Sequence, residues 1–384
     1  MNTRSPFFLI ILLGVVSLFA DLTYEGARSI IGPYLATLGA SATLVGFVAG
    51  FGEFLGYLLR FLSGYFADKL KRYWALTFIG YFINLLSVPA LYFAKTPFQA
   101  VSLILLERIG KAVRSPARDT ILSYATAKIG RGIGFGIHEA MDQIGALAGP
   151  LFISLILFYT QKDYKTAFAF LLIPALVALL ILVGSALLYP EPSKYEKYED
   201  KPLKEEGLTR AFYLYAISMG IYGAGYIDFA LIAYHFEKKR IFEASFIPLT
   251  YALAMGVDAF SSLIFGYLLD KKGLKILFVS ISISSVFSLF VFLGDFKLAL
   301  LGMVLWGIGM GAQESVMRAS ISFFVPKTIR ATGYGIFNAI FGFFWFLGSF
   351  LMGRLYDVSL YALVIVSIVL QLSSLVLLRK ALKS

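Results

Sequence analysis

Gly64-Tyr-Phe-Ala-Asp68-Lys69 closes one apolar stretch of the chain, and 202 residues later Gly266-Tyr-Leu-Leu-Asp270-Lys271 closes another. Further matches hold nearly the same register. Ile109-Gly110 recurs as Ile308-Gly309, and Arg131-x-x-Gly134-Phe-Gly136-Ile137 as Arg330-x-x-Gly333-Tyr-Gly335-Ile336, both at an offset of 199. One such match could arise by chance; three in register describe a duplicated half. Between the copies lies Glu191 to Gly207, rich in Lys, Glu, Tyr and Pro, which reads as a polar linker.

The stretches on either side of these motifs are apolar enough to cross a bilayer. Apolar residues make up 59% of the chain and charged residues 15%, with a mean hydropathy of +0.80. A soluble domain is about 45–50% apolar and about 25% charged. A spanning helix takes ~20 apolar residues. The sequence therefore predicts an all-α membrane protein of twelve transmembrane helices, over 7–36, 42–66, 73–95, 98–125, 132–160, 165–190, 208–237, 243–270, 274–294, 296–325, 329–357 and 359–382. The first of these, beginning at Phe7, is read as a retained span because no small-x-small cleavage site follows it. Two pseudo-symmetric six-helix bundles are expected, over 1–190 and 208–384, joined by a linker over 191–207.

Lys and Arg set the orientation. With the N-terminus inside, 19 of them fall in inner segments and 8 in outer ones. This bias predicts a plasma (inner) membrane protein with both termini and the linker in the cytoplasm. The net charge of +11 follows from that topology, since no soluble segment is large enough to carry a nucleic-acid surface. With no cysteine, thiolate and disulfide chemistry is excluded.

The repeated residues resemble the major facilitator superfamily over essentially the whole chain. In that family's loop motif, Gly-x-Leu-Ala-Asp-Arg-x-Gly-Arg, Gly64, Ala67, Asp68, Lys69 and Arg72 match, while Lys71 replaces the second glycine. The second copy keeps Gly266, Asp270, Lys271 and Gly273. The resemblance implies that Gly64, Asp68, Lys69, Arg72, Gly266 and Asp270 form a conformational latch, joined from span 4 by Asp119. Gly145-Ala-Leu-Ala-Gly149-Pro150 in span 5 is similar to a motif of the superfamily's antiporters, although Leu151, Phe152 and Ile153 stand where further glycines are expected. Gly145, Gly149 and Pro150 are in any case a helix-packing element, because small residues four apart let two backbones touch. The stretch from Glu107 to Asp119 also resembles a prokaryotic, drug:proton-antiporter-like subgroup, and Arg108 takes the place of the buried arginine that this family links to proton coupling.

An ionisable group in the hydrocarbon core costs about 2.5–3.5 kcal/mol and marks a task. Asp21, Glu25 and Arg28 share one face of span 1, where two carboxylates four residues apart favour binding of a proton. Glu53 stands in span 2 and needs a partner, with Arg108 one candidate. Span 4 carries Glu107, Arg108 and Lys111, and span 5 carries His138, Glu139 and Asp142, with His138 and Asp142 four apart. Arg114 and Arg118 read as latch or interface charges. His138-Glu139-x-x-Asp142 departs from the zinc-protease motif in its last ligand, so no metal and no cofactor is expected. The second half offers Asp228, Asp258 and a Glu314–Arg318 pair, with an aromatic lining of Tyr222, Tyr226, Trp306, Phe337, Phe341 and Trp345.

These residues predict a secondary transporter, not an enzyme. It is expected to act as a monomer: a proton-coupled antiporter exporting a small amphipathic or cationic compound, with protons and that small molecule as its partners. Organic-anion symport, flipping of a lipid-like substrate, and a non-transporting receptor or scaffold are the alternatives. No phosphate-binding Gly-x-x-x-x-Gly-Lys-Ser/Thr is present to drive a pump.

Overall fold

A computed structural model describes residues 5–126, 131–195, 208–325 and 330–383. Among these residues every regular element is a helix. The first half contains α1 (Pro6–Thr37), α2 (Ala42–Leu70), α3 (Tyr73–Ala90), α4 (Pro97–Thr126), α5 (Arg131–Tyr159), α6 (Tyr164–Phe170) and α7 (Leu172–Leu188). The second contains α8 (Arg210–Gly225), α9 (Phe229–Lys239), α10 (Ile247–Lys272), α11 (Ile276–Ser284), α12 (Phe287–Leu293), α13 (Phe296–Gly311), α14 (Arg318–Phe324), α15 (Arg330–Val358) and α16 (Leu360–Ala381).

Eleven spans are long and apolar enough to cross a bilayer. The thirty residues of α4 fall outside that set because Glu107, Arg108, Lys111, Arg114, Arg118 and Asp119 stud them, and with α4 the described spans number twelve. The fold is thus the all-helical membrane architecture expected.

Several spans are not the continuous helices the hydropathy suggests. Span 7 breaks after Gly225, and α9 restarts at Phe229 because the Asp228 carboxylate accepts the amide of Ala230 at 2.8 Å. A side-chain cap of this kind satisfies an amide that would otherwise be stranded. In span 10, Ala312–Met317 form a π-helical turn between α13 and α14. Such turns widen the helix and leave a carbonyl to be satisfied from elsewhere; Tyr215 donates its hydroxyl to the Met317 carbonyl at 2.8 Å. Pro116, inside α4, cannot donate to the Ala112 carbonyl one turn earlier. Ser63 of α2 does so instead, at 2.7 Å.

The chain divides into two compact units, Met1–Ser29 with Leu55–Lys201, and Ile30–Phe54 with Pro202–Ser384. The division differs from a cut at the linker in one respect: the adjoining ends of α1 and α2 group with the second unit. The core of the first unit is built from Val16, Ala20, Tyr81, Leu85, Ala175 and Leu182, and beside them from Leu9, Leu13, Ile121, Leu122 and Tyr189.

Candidate functional site

In the first unit α5 lies directly on α1. A Cβ on Gly145 would stand 2.3 Å from the Leu18 carbonyl oxygen, and one on Gly149 2.5 Å from that of Leu22. Backbones this close need glycine on at least one side. The contact brings α5 within reach of the polar face of α1, and α4 meets α3 through a similar seam, where a Cβ on Gly110 would come within 2.3 Å of the Asn84 amide.

Between these seams the charged side chains of α1, α4 and α5 gather with polar groups of α3. Arg114, 1% exposed, is the centre. Its Nη2 lies 3.9 Å from Asp21 Oδ1, its Nε donates to Asn84 Oδ1 at 3.2 Å, and its guanidinium sits 4.2 Å above the Tyr81 ring. Asn84 in turn donates to Glu107 Oε1 at 2.6 Å. Arg108 pairs with Glu107 at 3.4 Å, donates a short hydrogen bond to the Tyr24 hydroxyl and stacks on that ring at 4.9 Å. The Lys111 ammonium rests 3.6 Å from the centre of the same ring, within the electrostatic influence of Asp21 and Glu25. Glu25 and Arg28 are 3.9 Å apart on α1.

A second group adjoins. His138 Nδ1 lies 3.4 Å from Asp142 Oδ2. Asp142 also takes a hydrogen bond from Ser17 and feels the charges of Arg118 and Asp21. Arg118 reaches Ser17 at 3.2 Å and Asp119 at 2.8 Å. His138 Nε2, Asp142 Oδ1 and Arg114 Nη1 are buried without a hydrogen-bond partner among the described residues.

Thus Asp21, Glu25, Arg28, Arg108, Lys111, His138 and Asp142 belong to one polar core in the first unit. Glu139 is exposed on another face of α5, reached by Gln143 at 3.4 Å. Glu53 is half-buried and belongs by packing to the second unit. Arg114, assigned from sequence to a latch or interface, is instead a principal member. The spacing held the signal: 107, 111, 114 and 118 form one stripe along a helix. Tyr24, Tyr81 and Asn84 left no such sign, since single polar or aromatic residues in an apolar helix are ordinary.

Of the residues expected in a latch, a Cβ on Gly64 would meet, among the described residues, only Pro116, at an ordinary 3.6 Å, and one on Gly266 would meet none of them. Asp119 pairs with Arg118 of its own helix. Lys69 and Arg72 are exposed, and the side chains of Asp68 and Asp270 lie outside the described residues. So do those of Glu314 and Arg318.

The second unit replaces this chemistry with rings. Tyr215, Phe337, Phe341, Trp345, Tyr226 and Trp306 form an unbroken ladder with centroids 5.7–5.9 Å apart. Trp306 donates to the Ile227 carbonyl at 2.9 Å, and Tyr222 shares a hydrogen bond with Ser284 at 3.1 Å. The Asp258 carboxylate accepts from Ser262 at 3.1 Å, and the Trp345 indole nitrogen is buried with no hydrogen-bond partner among the described residues.

The sequence matches the Major Facilitator Superfamily over residues 13–349, with a further match over 240–382. An uncharacterized protein of Mycobacterium tuberculosis is 40% identical over 372 residues, covering 95% of this chain and 90% of the relative. An uncharacterized MFS-type transporter of Methanocaldococcus jannaschii is 28% identical over 359 residues, covering 91% and 88%. Among solved structures, the nucleoside transporter NupG superposes with a TM-score of 0.76 at 18% identity, covering 100% of this chain and 99% of that one. A bacterial homolog of the human lysosomal transporter Spinster, inward-facing and unoccupied, gives 0.68 at 15%, covering 99% and 96%. At such identities these structures speak for the fold.

Proposed function

Taking as premise that the chain belongs to the Major Facilitator Superfamily and is a multi-pass membrane transport protein rather than an enzyme, we propose that it is a proton-coupled antiporter. In this reading it exports a small amphipathic or cationic compound across the plasma membrane by alternating access, as a monomer with both termini in the cytoplasm. The orientation rests on the distribution of Lys and Arg.

One observation carries the proton-coupled reading. His138 and Asp142 face each other at 3.4 Å, yet each keeps a buried ring or carboxylate atom with no hydrogen-bond partner among the described residues. A buried polar atom left this way is costly unless it has a task. Imidazole and carboxylate together can accept a proton at one atom and release it at another. Asp21, coupled electrostatically to Asp142 and held by Arg114, extends the path to α1. When Asp21 takes a proton, its hold on Arg114 and Lys111 weakens, and the cluster can rearrange. That is the differential interaction an alternating transporter requires.

Organic-anion transport is the second reading, favoured by one feature. The Lys111 ammonium is met by a ring face, and Arg114 Nη1 lacks a hydrogen-bond acceptor. Both are donors that a carboxylate substrate could engage.

The test uses purified protein in liposomes with an acid interior and a trapped pH dye. Lipophilic cations should trigger proton efflux that is lost in Asp21→Asn and Asp142→Asn. Flux triggered instead by organic anions, and lost in Lys111→Gln, would replace the first reading with the second.

A further inference from the structure

The start of α2 is capped from the far end of the chain. Asp357, near the end of α15, accepts the Ala42 amide at 3.2 Å on one oxygen. On the other it accepts the Thr43 amide at 2.9 Å and the Thr43 hydroxyl at 2.5 Å. The next amide, Leu44, is satisfied locally by the Ser41 hydroxyl at 3.2 Å. A helix start always presents unpaired amides and partial positive charge, so a carboxylate there is favourable. It is nevertheless normally supplied by the adjacent residue, as Asp163, Asp228 and Asp295 do in this chain. Asp357 comes from 314 residues away.

Below the cap the two helices are built to touch. A Cβ on Gly46 would stand 2.2 Å from the Ser349 carbonyl oxygen, and one on Gly353 2.5 Å from that of Ala42. Further along, Phe47 meets Phe346 edge-on at 5.7 Å, and Phe54 stacks on Phe346 at 6.1 Å. Below the tip the seam is glycine and ring contact, with the Ser349 hydroxyl buried in it without a hydrogen-bond partner among the described residues. At the tip three directional bonds converge on one carboxylate.

We propose that Asp357 is a releasable clasp: it holds the Ser41 end of α2 against α15 and lets go of Ala42 and Thr43 whenever the outer side of the transporter opens. The proposal rests on alternating access and on the cytoplasmic placement of both termini. Ring and glycine contacts lose strength gradually as helices part, whereas the carboxylate's hydrogen bonds are lost within about an ångström of separation. The clasp therefore sets how much of the population is open, and the seam sets the path.

The absence of cysteine makes the test direct. Thr37→Cys and Val358→Cys, both exposed, carry nitroxide labels on the two sides of the clasp, and pulsed electron resonance reads their separation in the full-length protein. Asp357→Ala should raise the long-distance population roughly 5–30-fold, the effect of losing one to two caps' worth of stability. Asp357→Asn, which keeps an acceptor oxygen and the side-chain size, should raise it less. Gly46→Leu, a wedge in the seam, should lengthen the distance whether or not the clasp exists. If Gly46→Leu lengthens it while both Asp357 variants, monodisperse and folded, match the parent, the clasp is overturned and the opening stands. If none of the three lengthens it, the opening fails together with the clasp.

Discussion

At the offset of 199 that relates the two halves, Glu107, Lys111 and Arg114 of α4 correspond to Trp306, Met310 and Gln313 of α13 and its π-helical turn. The glycines beside them correspond as well, and so do their seams. A Cβ on Gly110 would press on Asn84 of α3 at 2.3 Å, and one on Gly309 on Ser284 of α11 at 2.8 Å. Gly149 against α1 is matched by Gly348, whose Cβ would stand 2.2 Å from Ala224 of α8. Close approaches thus recur at matching glycines in both halves, onto backbone at Gly110, Gly149 and Gly348 and onto side chains at Gly309. The side chains one turn away are ionic in the first half and uncharged, Trp306, Met310 and Gln313, in the second. Packing constrains the seam; it leaves the inward positions open to whatever chemistry the task needs.

The sharpest way to break this comparison is to remove the corresponding residues. Arg114→Ala removes the buried guanidinium from Asp21 and from the Asn84 side-chain oxygen and should cost about 3–5 kcal/mol. Gln313→Ala loses a contact with the Met310 sulfur at 3.9 Å and one with the Tyr222 hydroxyl, and should cost about 1 kcal/mol. Thermal unfolding in detergent measures both. Adding Asp21→Asn should recover part of the Arg114→Ala loss, because the two residues share one network. Equal losses in the two halves would mean that the ionic core is no more tightly coupled than the aromatic one.

A smaller effect tests the shared seam. Gly149→Leu and Gly348→Leu each force a side chain onto a backbone less than 3 Å away, and each should cost about 1–3 kcal/mol. The comparison predicts similar values. A large difference would show that one seam yields where the other does not. Trp306→Phe keeps the ring ladder but removes the donor to Ile227, and should lose about 1 kcal/mol by the same measurement.

The sequence exposed the seams and the ionic cluster unequally. Gly64 and Gly266 announced the duplication, and Gly145 and Gly149 announced a packed helix, because glycine at fixed spacing has few other uses in an apolar helix. The charges on α1, α4 and α5 stood out because hydrocarbon makes each of them expensive. Their partners did not. Asn84 and Tyr81 reach Arg114 only through the pairing of α3 with α4, which no spacing in either helix encodes. The breaks at Tyr226–Asp228 and at the π-helical turn were hidden for a related reason. Hydropathy averages over a window, while a break is decided by one side-chain acceptor or one tyrosine hydroxyl. Asp357 was the least visible of all, an ordinary acidic residue at a helix end until the fold brings the start of α2 to it.

The two remote and local caps offer the finest comparison. Asp163 caps its own helix, accepting the amides of Lys165 and Thr166 at 3.0 and 3.2 Å and the Thr166 hydroxyl at 2.5 Å. The hydroxyl bond holds the Asp163 carboxyl below the usual carboxylate range, with the two amides adding to it. A depressed carboxyl contributes stability above its unfolded value and loses that contribution as pH falls through its folded value. The cap should therefore be intact at neutral pH and fade only in acid, below the ordinary aspartate range. Asp163→Ala should cost about 1 kcal/mol at neutral pH, and the gap to wild type should close as the pH is lowered. Because the cap is local, the labelled Thr37–Val358 distance should not move in Asp163→Ala, whereas it should in Asp357→Ala. The two variants remove the same chemical group from a helix start, so any difference between them measures what is added when the cap comes from another helix.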